Sequence, residues 1–208
     1  ETSVFNDVIF SNYNHFIKNV TITILLSVMF IITPTYLRDY LVKVNYLQYT
    51  SKTGRRIFKK KILISLLATF ILVTIQFLCF FIIYSTNNTS MFFNSNINSI
   101  YNFFISWYDL TFIQYIILTV IGVYLLAFVF TLISLLISSI GKNYITVIGI
   151  QLPIALVSFT ILLKYLIHYM TNISYPKYFW ALSYMALIMI SSIFMMIRWK
   201  KEEKADIL

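Results

Sequence analysis

Few side chains in this 208-residue sequence could carry out a reaction or hold a metal ion. The two histidines, His15 and His168, are far apart along the chain, and no Asp or Glu stands at ligand or general-base spacing from either. Cys79 is the single cysteine, which excludes an intrachain disulfide and a cysteine-based metal site. The sequence also has no Gly-x-x-x-x-Gly-Lys phosphate loop. We therefore expect this chain not to be an enzyme, and we predict no catalytic residues, metal or cofactor in it.

The composition indicates a protein whose solvent is lipid. Hydrophobic residues make up 60% of the chain and charged residues 11%, which is more apolar surface than one soluble core could bury. The apolar residues form long uncharged runs, each near or above the ~20 residues that a helix needs to cross ~30 Å of hydrocarbon. We predict an all-α, polytopic membrane helix bundle in which residues 1–208 form one transmembrane domain. The five predicted spans are 20–37, 62–84, 112–140, 144–163 and 179–197.

The positions of the basic residues predict how the bundle is oriented. Thirteen of the 16 Lys and Arg residues lie in the loop 38–61, the turn 141–143 and the tail 198–208, which share one side if the spans alternate. The remaining three are Lys18, Lys164 and Lys177. Because Lys and Arg collect in cytoplasmic loops, we predict a multi-pass cell-membrane protein with a cytoplasmic C-terminus.

The predicted outer segments, 1–15, 85–111 and 164–178, are polar but contain regularly spaced apolar residues. With residues 1–15 outside, we expect a preceding helix that brings the total to six spans; the alternative is a five-span protein with an outer N-terminus. Helical spacing recurs at Ile97, Ile100, Phe104 and Trp107, with a similar hint at Phe5, Val8, Ile9 and Phe16. These residues predict either short interfacial helices or aromatic anchors alone.

Polar residues inside the predicted spans are sparse. The spans contain no Asp or Glu, which disfavours a carrier driven by protons or sodium ions. The candidates for a pathway or for contacts between helices are Gln76, Gln151 and Lys164. Gln151 stands close to Pro153, which leaves one backbone carbonyl of its helix without a donor. The side-chain amide of Gln151 could bond to this carbonyl, or it could bond to another helix. The turn 141–143 is so short that the spans it joins must be antiparallel neighbours.

The long basic loop 38–61 has a pattern beyond its charge. One apolar helical face is formed by Leu37, Leu41, Val44 and Leu47, and a polar face by Arg38, Asp39, Lys43 and Asn45. Thr50–Gly54 then breaks the helix, and a basic helix leads from Arg55 into the second span. We predict an amphipathic helix that docks in a partner; the alternative is a topology anchor that rests on anionic lipid.

In this loop the sequence resembles the permease subunits of bacterial type-2 ABC exporters. Those subunits have an acidic residue, an apolar stretch, a Gly-Arg turn and then a Lys that opens the next span. Asp39, the segment Thr50–Arg56 and Lys61 stand at those places. The Gly that follows the acidic residue in the family pattern is missing, and Val42 and Lys43 occupy that region.

The resemblance implies a partner and a driving force. The loop would be a coupling helix seated in a separate ATP-binding cassette subunit, which holds the ATP and Mg²⁺. A second permease chain, in a homo- or heterodimer within membrane lipid, would complete the pathway, and no nucleic acid is involved. The residues implied at the partner contact are Asp39, Tyr40, Val44, Tyr46, Leu47, Ser51, Gly54, Arg55 and Arg56.

The scarcity of charged side chains in the spans favours a hydrophobic or amphipathic cargo, such as a peptide or a lipid-like molecule, moved outward. The alternative is a non-transporting membrane protein, a bacteriocin-immunity or sensor-associated subunit, which binds a partner through the same loop.

Overall fold

A computed structural model describes residues 7–44, 57–99 and 105–203, and every regular element in these ranges is helical. The predicted all-α bundle is thereby confirmed. The helices are α1 (Asp7–Ile32), α2 (Pro34–Leu41), α3 (Ile57–Ser85), α4 (Phe112–Ile140), α5 (Tyr144–Val157) and α6 (Phe179–Glu203). Two π-helical segments, Ser158–Leu162 and Lys164–His168, prolong α5. With α1 and α2 as one unit, the described residues form five helices long and apolar enough to cross a membrane.

The bounds of α4 agree with the prediction, whereas the first helix begins well before the predicted residue 20. Asn14 and Lys18 lower the hydropathy of this stretch, but Asn14 is buried because its Oδ1 accepts a hydrogen bond from Tyr115 at 2.9 Å. Most of the predicted outer segment 1–15 and the start of segment 164–178 are therefore helical. α3 and α6 also extend beyond the predicted spans 62–84 and 179–197.

The helices α1 and α4 form the centre of the bundle. In their most apolar stretches 56% and 50% of the residues are buried, against 17–22% for the spans of α3, α5 and α6. Hydroxyl groups join α4 to two other helices: Thr119 bonds to Tyr13 of α1 at 2.5 Å, and Thr131 bonds to Thr69 of α3 at 2.7 Å. In lipid such bonds matter because no water competes for the groups that they satisfy.

The segments that connect α3 to α4 and α5 to α6 pair with each other at one end of the bundle, and the first of them contains the short 3₁₀ helices Thr89–Phe92 and Ile97–Ser99. Backbone bonds run from Trp107 N to the Thr171 carbonyl at 3.0 Å and from Ile173 N to the Ile105 carbonyl at 2.8 Å. The indole of Trp107 donates to the Tyr175 carbonyl at 2.6 Å. Residues 105–111 are not helical, so an interfacial helix through Trp107 is wrong; Ile100 and Phe104 lie outside the described residues. Near the N-terminus, Val8, Ile9 and Phe16 belong to α1 itself, and Phe5 lies outside the described residues.

The connection between α4 and α5 is as short as predicted, and the two helices pack against each other. Asn143 caps α5, its side chain accepting a bond from Thr146 N at 2.8 Å. Gly141 ends α4 with an ordinary φ of −70°. A Cβ at Gly141 would lie 2.1 Å from Cγ2 of Val147, so this glycine is required for space and not for backbone conformation.

Replacing Gly141 by Ala should destabilise the α4–α5 turn. We expect Gly141→Ala to lower the free energy of unfolding by about 1–3 kcal/mol, because the added methyl overlaps Val147. The matched control is Gly149→Ala in α5, where an added Cβ meets nothing within 4 Å. Thermal unfolding in detergent should show a lower Tm for Gly141→Ala and an unchanged or higher Tm for Gly149→Ala. The double variant Gly141→Ala/Val147→Ala should be less impaired than the sum of its single variants; additive losses would contradict this explanation.

Candidate functional site

The break between α1 and α2 is stabilised by a single hydroxyl group from α4. Pro34 has no N–H, so the helix cannot continue regularly through it and α2 begins there. Oγ of Ser138 accepts bonds from the backbone N–H groups of Tyr36 and Leu37, at 3.2 and 3.1 Å, and donates to the Thr33 carbonyl at 2.6 Å. Ser138 thus caps the N-terminal end of α2 and satisfies the Thr33 carbonyl, which follows the end of α1.

The same break is tied to α5. Oγ1 of Thr33 donates to the Met29 carbonyl at 2.6 Å and lies 2.9 Å from Oε1 of Gln151 as a second acceptor. Gln151 is buried and contacts another helix, which is the second of the two roles considered for its amide. The start of α2 therefore contacts both α4 and α5, and movement of α2 must affect these contacts.

The two ends of the long basic loop meet beside α2. Asp39 in α2 forms an ion pair with Lys61 in α3, and each side chain is about 20% exposed. Nζ of Lys61 also donates to the Thr35 carbonyl at 3.0 Å and lies 5.4 Å from the ring centre of Tyr36. Tyr36 in turn stacks on Phe58 at 4.6 Å and donates its hydroxyl to the Phe58 carbonyl at 2.9 Å. We call Tyr36, Asp39, Phe58 and Lys61 the loop base.

The helix α6 also reaches this end of the bundle, through Arg198 and Trp199. Arg198 donates to the Ser139 carbonyl at 2.8 Å and pairs with Glu202 at 2.5 Å. Lys59, next to Phe58, lies 5.3 Å from the ring centre of Trp199. The ends of α2, α3, α4 and α6 are thus in contact at this end of the bundle, where the described part of the chain has most of its charge.

The amphipathic helix predicted from the apolar face of Leu37, Leu41, Val44 and Leu47 is not continuous in its described part. α2 ends at Leu41, and Lys43 has a left-handed φ of 58°. Leu37 is fully buried, whereas Leu41 is half exposed, so the two do not share one buried face. The turn at Lys43 interrupts the expected apolar face, which changes direction before Val44.

The left-handed turn coincides with the departure of this sequence from the family pattern. The resemblance expects a Gly shortly after the acidic residue, and here Lys43 adopts the conformation that Gly tolerates best. A lysine in this conformation carries a steric cost of about 1–2 kcal/mol.

Of the residues predicted to contact a partner, the structure places three. Asp39 is in the loop base, Tyr40 is exposed on the last turn of α2, and Val44 follows the turn at Lys43. The other six lie outside the described residues: Tyr46, Leu47, Ser51, Gly54, Arg55 and Arg56.

The polar candidates within the spans do not come together. Gln76 donates to Oγ of Ser27 at 2.8 Å and so joins α3 to α1. Gln151 is at the Pro34 break, and Lys164 is exposed at the opposite end of α5. Sequence reasoning missed Ser138 and Tyr36, whose partners are distant in sequence. The feature of the sequence that indicates a break between α1 and α2 is Pro34, which lies inside an apolar run.

A groove of about 450 Å³ lies on the side of the bundle between α3 and α4. It is lined mainly by apolar side chains, with the Thr74–Tyr124 hydroxyl pair, 2.8 Å apart, at one place in its wall. The groove faces the surroundings of the bundle and not its centre. The lining residues are Thr74, Phe77, Leu78, Phe81, Ile82, Ser85, Val120 and Tyr124.

Loss of the Ser138 hydroxyl should destabilise the protein strongly for so small a change. Ser138→Ala leaves two N–H groups and one carbonyl without their partner in apolar surroundings, and we expect a loss of about 1–3 kcal/mol. Ser191→Ala is the control, because Oγ of Ser191 bonds only within α6, to the Ile188 carbonyl. Chemical or thermal unfolding in detergent measures both; equal effects would show that the bonds across to α2 contribute nothing.

A glycine at position 43 should stabilise the turn. Lys43→Gly removes the steric cost of the left-handed backbone, and after its entropic cost we expect a gain of about 0.5–1 kcal/mol. Lys43→Ala removes the same charge but keeps the Cβ, so its Tm should not rise. A Tm that rises equally in both variants would assign the effect to charge.

Known protein families, curated proteins and solved structures provide no match to this chain. The contacts of the loop base and of the Pro34 break are consequently the observations on which a function can be proposed.

Proposed function

We propose that this chain is the membrane-spanning permease subunit of an ATP-driven exporter and that a separate ATP-binding subunit drives it through the loop 39–54. The observation that supports this proposal most directly is the Asp39–Lys61 ion pair, which joins the two ends of the long basic loop 38–61. When the two ends of a loop are bonded together, a force on the loop is transmitted to its base and is not lost in deformation of the loop. Such a loop suits a coupling element better than it suits a lipid anchor, for which charge alone is sufficient.

The loop base is connected to the spans by a short series of contacts. A displacement of Asp39 moves α2, whose first turn is bonded to Ser138 of α4. The residue before α2, Thr33, is bonded to Gln151 of α5. The loop would therefore act on α1, α4 and α5 together, as a rigid-body change between two packed arrangements.

The proposed cargo is hydrophobic or amphipathic, a peptide or lipid-like molecule. The groove between α3 and α4 supports this class, since an apolar wall with few hydroxyl groups suits such a molecule better than an ion. The large exposed apolar side chains on α3, α5 and α6 leave room for a second permease chain as well as for lipid.

Breaking the Asp39–Lys61 pair should uncouple ATP hydrolysis from the membrane subunit. The chain is co-expressed with a candidate ATP-binding subunit, and the ATPase rate of the purified complex is measured in nanodiscs. We expect Lys61→Gln to lower the stimulated rate about fivefold or more, the size of a typical coupling free energy. Lys60→Gln is the matched control, because Lys60 is the exposed neighbour of Lys61 and has the same charge.

Wild-type stimulation in Lys61→Gln would contradict the coupling role of the loop base. Asp39→Asn should reproduce the defect, and the exchange Asp39→Lys/Lys61→Asp should restore part of the rate if the pair itself is responsible. Retention of the partner by all variants without any ATPase stimulation in the wild type would favour the non-transporting, partner-binding alternative.

A further inference from the structure

Two pairs of basic side chains, distant in sequence, meet at the end of the bundle opposite the loop base. His15 and Lys18 are three residues apart on α1 and so share a face. Lys164 and His168 are the first and last residues of the second π-helical segment, which packs against α1. His168 interacts electrostatically with His15, Lys18 and Lys164. We call these four residues the basic cluster.

The basic cluster is accessible, and none of its members forms an ion pair with an acid in the part of the chain that the structure describes. His15, Lys18 and Lys164 are exposed, and His168 is half-buried. The ion pairs seen within residues 7–44, 57–99 and 105–203, Asp39–Lys61 and Arg198–Glu202, both lie at the other end of the bundle. The nearest acid along α1, Asp7, precedes His15 by about two turns, roughly 12 Å. The cluster therefore presents positive charge to whatever lies beside α1 and the end of α5.

The depth of the cluster indicates what lies there. Lys18 precedes Asp39 by about 20 residues, which corresponds to roughly 30 Å of helix. That length equals the thickness of the hydrocarbon layer. Placing the loop base at one boundary of the layer puts Lys18, and Lys164 in the segment packed against α1, near the headgroups on the other side. Lipid phosphates are the most concentrated anions there.

The chemistry of the four side chains selects an anion and not a metal cation. Two ammonium groups beside the imidazoles repel a divalent ion, whereas lysine is a common ligand of phosphate. No group of three His, Cys, Asp or Glu suited to a metal ion occurs in the described part of the chain. The local backbone also departs from an α-helix, and π-helical turns are frequent at functional sites.

We propose that His15, Lys18, Lys164 and His168 bind the phosphate of an anionic lipid headgroup at this end of the bundle. The lipid would lie against α1 and the Lys164–His168 segment, with its acyl chains along the exposed apolar surface below. This site is separate from the loop base, and it does not depend on whether an ATP-binding subunit drives the chain.

The test measures which lipids stay with the protein. The full chain is incubated in detergent with equal amounts of phosphatidylglycerol and phosphatidylcholine, separated from free lipid by gel filtration, and its retained lipid is quantified by mass spectrometry. We expect the wild type to retain phosphatidylglycerol preferentially. Lys18→Gln/Lys164→Gln should lose that preference about tenfold or more, because each lysine near an anionic headgroup contributes about fivefold.

The matched control is Lys142→Gln/Lys177→Gln, which removes two exposed lysines outside the cluster. This control should keep the preference for phosphatidylglycerol to within about twofold. That change is smaller than the contribution of about fivefold expected from a single lysine of the cluster. An equal loss in both double variants, or an unchanged preference in Lys18→Gln/Lys164→Gln, would overturn the proposal. Lys18→Arg/Lys164→Arg, which keeps both charges, should retain the lipid and so separates loss of binding from loss of folding.

A second arm separates a lipid from a soluble phosphate. Inorganic phosphate is added to the incubation and compared with sodium chloride at the same ionic strength. We expect both salts to displace equal amounts of phosphatidylglycerol, since the acyl chains also hold the lipid. Specific displacement by a few millimolar phosphate would overturn the lipid assignment and indicate a site for a soluble phosphate. If the purified protein carries an acidic protein at the basic cluster instead of lipid, the lipid assignment is overturned as well.

Discussion

The packing of this bundle at its charged end depends on the break at Pro34 and on how it is satisfied. A proline in an apolar helix leaves backbone groups without partners, and in lipid no water replaces those partners. The hydroxyl of Ser138 supplies three bonds at the break, and Gln151 receives a fourth from Thr33. Because these groups come from α4 and α5, the break also determines which helices lie next to α1 and α2.

The loop base continues this arrangement. With α2 held at its first turn, Asp39 reaches Lys61, and Tyr36 stacks on Phe58 of the next span. A second break, at Lys43, interrupts the helix within the first part of the long loop. The loop is thus anchored by polar contacts at its base, while the apolar surfaces of α3, α5 and α6 stay available to lipid or to another chain.

The two ends of the bundle use charge differently. At the loop end, Asp39 pairs with Lys61 and Glu202 with Arg198, and Lys59 lies close to the ring of Trp199. At the opposite end the basic cluster combines Lys18 and Lys164 with two imidazoles. The ion pairs at the loop end suit contacts that must keep their geometry, and the basic cluster suits an anion supplied from outside.

The fold class and α4 could be predicted from the sequence, because an uncharged run longer than a bilayer leaves few alternatives and Gly141 marks its end. The beginning of α1 could not be predicted, because Asn14 is a polar residue and only the fold shows that Tyr115 donates a hydrogen bond to it. The loop pattern singled out Asp39 and Lys61, but that they form an ion pair follows only from the fold, as does the proximity of His15 and His168. The sequence by itself determined which segments prefer lipid, a local property of composition. The tertiary structure decided which polar groups are satisfied and by whom, because each such bond joins helices that are distant along the chain.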